Sequence, residues 1–176
     1  MSVWKLVRML RAGNQSQVSL VITKLRTKED FARKAGKQFE TDSLQMINFL
    51  KNMDTLKSYG LDTNTVTAVM LPLTYKLNWN STPEKIFESC FSAYKKFWTK
   101  ERLTKADSLH LDRIEVTTLA SIVDEETLKK DDKSNMASVY LNRIRIGMPL
   151  QADPTVKFAM KDFALKRIMA THLKTV

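Results

Sequence analysis

Phe87, Phe91 and Tyr94, and then Phe97 and Trp98, recur at steps of three or four residues behind the segment Ser81-Thr82-Pro83-Glu84. Such steps return to one side of an α-helix, so only a helix gathers these rings on a common face. Ser81 or Thr82 ahead of Pro83 is a start signal, because proline suits the first helical position. The aromatic stripe therefore reads as core rather than as a ligand platform. Gly and Pro number four each in 176 residues, too few for a loop-dominated all-β chain. The expected fold class is α+β and helix-rich, with a few strands.

Upstream of the stripe, "VSLVITKL" (18–25) is rich in β-branched residues and reads as a strand. Thr27 is placed to cap a helix with Glu29 and Asp30 in its first turn and Phe31, Ala35 and Phe39 at helical spacing. Asp42 or Ser43 then caps a second helix carrying Leu44, Ile47, Phe49 and Leu50. A strand followed by two short helices is similar to the βααβ arrangement of a LysM-like module, which sets the expected first subdomain at 1–62. "YGLDT" marks a turn, and "AVMLPLTYKLNWNSTPEK" reads as an extended segment interrupted by Pro72.

With 29 Lys and Arg against 19 Asp and Glu, the formal charge is +10, which draws a protein toward polyanions. The basic residues are spread along the chain, and no block of them resembles a nucleic-acid-binding tail. Nucleic acid is not an expected partner. Cys90 is alone, which excludes an intrachain disulfide and Cys-based zinc spacing. Its neighbours Phe87, Phe91 and Tyr94 suggest a buried thiol. His110 and His172 have no ligand partners at metal-binding spacing, so no metal or other cofactor is expected. No stretch reaches the apolar length needed to cross a bilayer, and "MSVWKLVRMLRAG" lacks the pattern of a signal peptide.

Three consecutive acids, Asp124, Glu125 and Glu126, end the stretch "ASIVDEET". From Glu115 to Lys130 the pattern is helical, and Val116, Leu119, Ala120, Ile122 and Val123 share a face. Glu126 lies four residues after Ile122 and seven after Leu119, which puts it on that face, while Asp124 and Glu125 point away. The expectation is that Glu126 is partly buried. An apolar wall would raise its pKa and let it hold a proton for a leaving group. The alternative is that Glu126 reaches solvent at the helix end or pairs with a basic residue such as Arg143.

Met136, Val139, Tyr140 and Ile144 form a further helical stripe that Gly147 stops. "MPLQADPTV" then reads as extended, because Pro154 disfavours helix at Asp153. Such a segment could present Gln151, Asp153 and Thr155 to a sugar. A plain turn-forming role for Asp153 and Pro154 is the competing reading.

"LASIVDEET", then "ASVYLNRIRIGMPLQADPTVKFAM" and "DFALKRIMATHL", together resemble the YceG-like endolytic murein transglycosylases of bacteria. The close likeness covers roughly residues 114–174, and the upstream part is similar more loosely. The resemblance implies an enzyme that breaks the MurNAc–GlcNAc bond of peptidoglycan glycan strands without water, leaving 1,6-anhydroMurNAc ends. It implies Glu126 as the single catalytic general acid and base, because the family's essential Glu stands directly before Thr in the pattern ASIVxxET. By motif membership it implies substrate-binding roles for Asn142, Gln151, Asp153 and Thr155. It further implies cell-wall synthases as partners, and a periplasmic catalytic part held at the inner membrane by an anchor absent from this chain. On this likeness, 63–176 is expected to be part of the catalytic domain.

The sequence also departs from the family pattern. Asp124 stands where many relatives carry Glu, and "LPLTY" replaces a Pro-Asn-Thr-Tyr kind of segment. The resemblance would continue past Val176, so the chain is expected to be a piece of a longer protein with an incomplete cleft. Whether such a piece turns over by itself stays open. A non-catalytic peptidoglycan-binding module is the alternative function. A basic nucleic-acid-binding domain is a weaker one, since no recognition helix or aromatic platform is evident.

Overall fold

The structure is a computed structural model that describes residues 2–13, 15–169 and 172. Its chain divides into two compact units, Met1–Phe97 and Trp98–Val176. Helix-rich α+β architecture is what the sequence predicts and what is found.

The first unit opens with α1 (Val3–Arg11) and β1 (Gln17–Val21), followed by α2 (Lys28–Gln38), α3 (Ser43–Lys51) and α4 (Met53–Ser58). A single 3-10 turn (Val66–Val69), β2 (Thr74–Asn78) and the long α5 (Pro83–Phe97) complete it. β1 and β2 pair antiparallel, with Leu20 opposite Tyr75 and Val18 opposite Leu77. These inward positions alternate with exposed Ser19 and Lys76, the period of a sheet with one buried face. The sequence boundary was expected after residue 62. The division into compact units falls between Phe97 and Trp98, and β2 pairs with β1 inside the first of them.

Local sequence accounts for the helices around this sheet. Thr27 Oγ1 accepts from the Asp30 amide at 3.1 Å, the expected cap of α2. Asp42 caps α3 through a full capping box, accepting from the Gln45 amide at 2.7 Å while the Gln45 side chain accepts from the Asp42 amide at 3.1 Å. Gly36 of α2 sits where the chain enters α3, and a Cβ there would lie 2.5 Å from the Ser43 amide nitrogen. Leu20, Phe31, Met46, Leu50, Leu56, Ile86 and Phe87 have no exposed surface. Each such side chain contributes about 1.5–3 kcal/mol relative to exposure. Phe87, Tyr94 and Trp98 of the aromatic stripe are buried, as its spacing predicts, and Phe91 is half-buried, whereas Phe97 at the end of α5 is exposed. Phe87 packs against Phe49 and Tyr59 with ring centroids 5.4 and 5.1 Å apart, and Tyr59 also meets Phe91 at 5.1 Å. Cys90 of the same helix is buried as well.

The second unit contains α6 (Lys100–Ser108), α7 (Arg113–Glu126), α8 (Lys130–Arg145) and α9 (Asp153–Met160). Asp112 caps α7 through a second capping box with Glu115. α7 packs against α8 and α9 around Leu111, Leu119, Val123, Tyr140 and Ala152, with Val116, Ile122, Met136 and Leu150 at the margin.

Two expectations are corrected here. The helix expected to run from Glu115 to Lys130 ends at Glu126, because Thr127 turns to an extended conformation (φ −139°, ψ 135°). The chain beyond Ala152 is helical rather than extended. Pro154 occupies the first turn of α9, where the amide it lacks has no intrahelical partner to miss. Gly147 ends α8 as predicted, with φ 67°. Its amide reaches the Ile144 carbonyl at 3.1 Å and the Met148 amide reaches Arg143 at 2.8 Å, the pair of bonds of a Schellman motif.

Candidate active site

The last turn of α7 separates the three acids by what each one touches. Asp124 is exposed and pairs with the Lys133 ammonium of α8. Glu125 is half-buried. Glu126 lies close enough to Tyr140 of α8 for its charge to be felt at the phenol.

Glu126 is nevertheless exposed, and the expectation of a partly buried carboxyl is corrected. A helical side chain shields the turn that precedes it, so a final-turn residue is covered only by the chain beyond it. Here Thr127 leads the chain away and Leu128 is 90% exposed, so the segment that follows α7 does not cover the carboxyl. Helical phase placed Glu126 on the correct side of α7 but did not bury it.

Tyr140 is the buried partner, at 3% exposure, with its ring in the core beside Leu119, Val123 and Ala152. Burial pushes its phenol above the ordinary value, and the neighbouring Glu126 charge pushes the same way. Asp153 adds to the rise and Arg143 opposes it, so both lie close enough to be felt at the hydroxyl. The phenol is consequently a neutral donor throughout the physiological range.

The remaining predicted residues are dispersed. Asp153 is exposed at the start of α9 within the field of Tyr140. Gln151 is exposed and holds a left-handed backbone, φ 50°, which few residues other than glycine adopt. Thr155 is half-buried and spends its hydroxyl locally, donating to the Ala152 carbonyl at 2.7 Å. Asn142 is exposed two residues after Tyr140, about 200° further round α8 and so on a different side from the Glu126 contact. Arg143 donates to the Leu150 carbonyl and thereby joins the end of α8 to the segment leading into α9. A shallow groove of about 300 Å³ lies along α7, between Leu111, Ile114, Leu119 and Ile122 on one side and Ile144 and Leu150 on the other. Among the described residues no cluster of His, Cys, Asp and Glu could hold a metal ion.

Sequence reasoning missed Tyr140 as a polar contributor. It counted only as an apolar step in a helical stripe, and a tyrosine has both an apolar body and a polar tip.

The YceG-like family model matches residues 1–176. The chain belongs to the YceG-like family. Over 94 residues this YceG-like chain is 34% identical to a Bacillus subtilis (strain 168) protein named endolytic murein transglycosylase, a match covering 51% of the chain and 25% of that relative. Proteins of the same name from Streptococcus pneumoniae strains D39 and R6 are each 30% identical over 90 residues, covering 51% of the chain and 16% of the relative. The matched part of the chain thus corresponds to a quarter or less of these relatives' length.

Proposed function

We propose that this chain carries the proton-transfer region of an endolytic murein transglycosylase, with Glu126 as the single general acid and base. The observation that carries the reading is an accessible Glu126 at the end of α7, directly before Thr127, in a chain of the YceG-like family. Relatives named endolytic murein transglycosylase support the reaction class. A carboxyl that serves a polymer must be reachable from solvent, and Glu126 is.

In the reaction, Glu126 gives its proton to the glycosidic oxygen between MurNAc and GlcNAc as the bond to the anomeric carbon breaks. The 6-hydroxyl of MurNAc attacks that carbon, and the Glu126 carboxylate takes up the hydroxyl proton. The acid is regenerated, no water is consumed, and the product ends in 1,6-anhydroMurNAc. The substrate thereby supplies the nucleophile that a second carboxyl provides in ordinary retaining glycosidases. Asp153 and Gln151 are the positioning residues best placed to meet the sugar. Asn142 and Thr155 have weaker support, the one for its direction and the other for its internal hydrogen bond.

The first unit is proposed to be a LysM-like element that holds glycan strands, on the start β1–α2–α3 and the pairing of β2 with β1 after α4 and the 3-10 turn. The protein would act in the cell envelope, on the periplasmic side of the inner membrane and beside cell-wall synthases. No described helix is long and apolar enough to cross a membrane, so anchoring would fall to a segment other than these helices.

A second reading is a glycan-binding module that does not cut. It is favoured by the exposure of Glu126 and by its absence from the lining of the α7 groove. Incubation with purified peptidoglycan and mass analysis of released fragments separates the two. Anhydro-ended fragments support the transglycosylase. Fragments with free reducing ends, or no release, contradict it, and sacculus binding without release establishes the second reading.

A further inference from the structure

We propose that the open cavity between the β1–β2 sheet and α5 is a sugar-binding site that takes an N-acetylated sugar bearing a carboxylate. The inference rests on the first unit holding glycan strands, and it names the place and the sugar.

The cavity measures about 450 Å³, a size that accommodates a small ligand. Gln17 opens β1 and Asn78 closes β2, and the register sets them directly opposite each other. Both line the cavity, together with Lys76, two residues earlier on the same side of β2. The remaining wall comes from α5, where Lys85, Glu88 and Ser89 share one side of the helix. The site therefore lies at the end of the sheet away from the β1–α2 connection, which leaves β1 after Val21.

Ser81 is the residue that points to a ligand. It lines the cavity at 6% exposure and precedes α5 without capping it. Thr82 is the cap, its Oγ1 accepting from the Lys85 amide at 3.4 Å. The Ser81 amide donates to the Asn78 carbonyl at 3.0 Å, whereas among the described residues its hydroxyl has no hydrogen-bond partner. A buried hydroxyl left unpaired is unfavourable, and a polar occupant of the cavity relieves it.

The lining selects the chemistry of that occupant. The amides of Gln17 and Asn78 both donate and accept, as the hydroxyl and acetamido groups of an N-acetylated sugar do. Lys76 and Lys85 bring two ammoniums against the single carboxylate of Glu88, so the cavity carries net positive charge and favours an anionic substituent. In a murein strand MurNAc meets both requirements, because its lactyl group or attached peptide supplies a carboxylate. GlcNAc meets only the first.

The test is an NMR titration of the ¹⁵N-labelled chain, with muramyl dipeptide as the acidic N-acetylated sugar and chitotriose as the neutral one. Muramyl dipeptide is expected to shift the side-chain amide signals of Gln17 and Asn78 and the backbone amide of Ser81. Chitotriose should bind about tenfold more weakly, since it brings no carboxylate to the two lysines. Lys76→Gln combined with Lys85→Gln, both at exposed positions that keep the fold, should remove that preference. Ser81→Ala should weaken muramyl dipeptide about threefold or more and leave the urea midpoint in place, because the hydroxyl has no protein partner to lose. Shifts confined to other parts of the first unit overturn the proposal and leave its glycan-holding role standing. Equal affinity for the two probes overturns it as well, as does a Ser81→Ala chain that binds like the parent. No shift in the first unit with either probe overturns the proposal and the glycan-holding reading together.

Discussion

The Arg143 guanidinium of α8 donates a hydrogen bond to the main-chain carbonyl of Leu150, seven residues further on. That bond spans the turn from α8 to α9 and fixes the segment from which Gln151 and Asp153 project. Removing the donor leaves a part-buried carbonyl unpaired. Arg143→Ala is expected to destabilise the second unit by about 1–3 kcal/mol. Amide exchange at 148–152 should accelerate, while exchange in β1 and β2 stays as it was. Hydrogen exchange by NMR checks both parts.

Asp124 and Glu126 are predicted to respond oppositely to substitution. The pair between Asp124 and Lys133 is largely solvent-exposed, and such pairs contribute about 0–1 kcal/mol. Asp124→Asn should therefore leave stability within about 1 kcal/mol and leave the release of peptidoglycan fragments unchanged. A urea melt and the product assay check it. A loss of activity comparable to that of Glu126→Gln would mean that the acids do not divide as their contacts indicate.

Gly36 is predicted to resist even alanine. Alanine has the better helix propensity by about 1 kcal/mol. The added Cβ would sit 2.5 Å from the Ser43 amide nitrogen, a backbone atom that cannot swing aside. Overpacking of this kind costs about 1–3 kcal/mol, and here it requires α2 and α3 to separate. Gly36→Ala should lower the thermal midpoint of the first unit, whereas Gly60→Ala should be strained only by its backbone, at φ 71° with open space around it. Thermal melts followed by near-UV circular dichroism compare the two.

The first unit should also lose stability in alkali. Burial pushes the Cys90 thiol up to about 12 from an ordinary 9.0, and burial likewise raises the Tyr75 phenol beside it. Both groups stay protonated in the folded chain at pH values where the unfolded chain has released them. The stabilisation is therefore complete below about pH 9 and is lost as pH rises toward the folded midpoints. Urea melts at pH 8 and pH 10.5 should show the decline, and Cys90→Ala should flatten it. The native thiol should react slowly with a disulfide reagent, since the nucleophilic form is suppressed.

Much of the fold was legible because its signals are local. The Phe87–Phe91–Tyr94 spacing, the Thr27 and Asp42 caps and the Gly147 stop each act within a turn or two of chain, and each is found as read. The start of α9 was misread because Pro154 is compatible both with an extended segment and with a helical first turn. The side of α7 that carries Glu126 followed from periodicity alone. Its exposure did not, because that depends on where Thr127 sends the chain. The Tyr140 contact was out of reach for a similar reason. Residues 14 apart on different helices meet only through the way α7 and α8 pack, and no spacing rule encodes that.

The central claim is that one carboxyl, at position 126, moves the proton in both halves of an anhydro-forming cleavage. Glu126→Gln and the parent chain should be incubated side by side with purified peptidoglycan, their amide spectra first compared to establish a common fold. The account predicts 1,6-anhydroMurNAc-ended fragments from the parent and none above background from the variant. Anhydro-ended fragments from the variant at the parent's rate would contradict it.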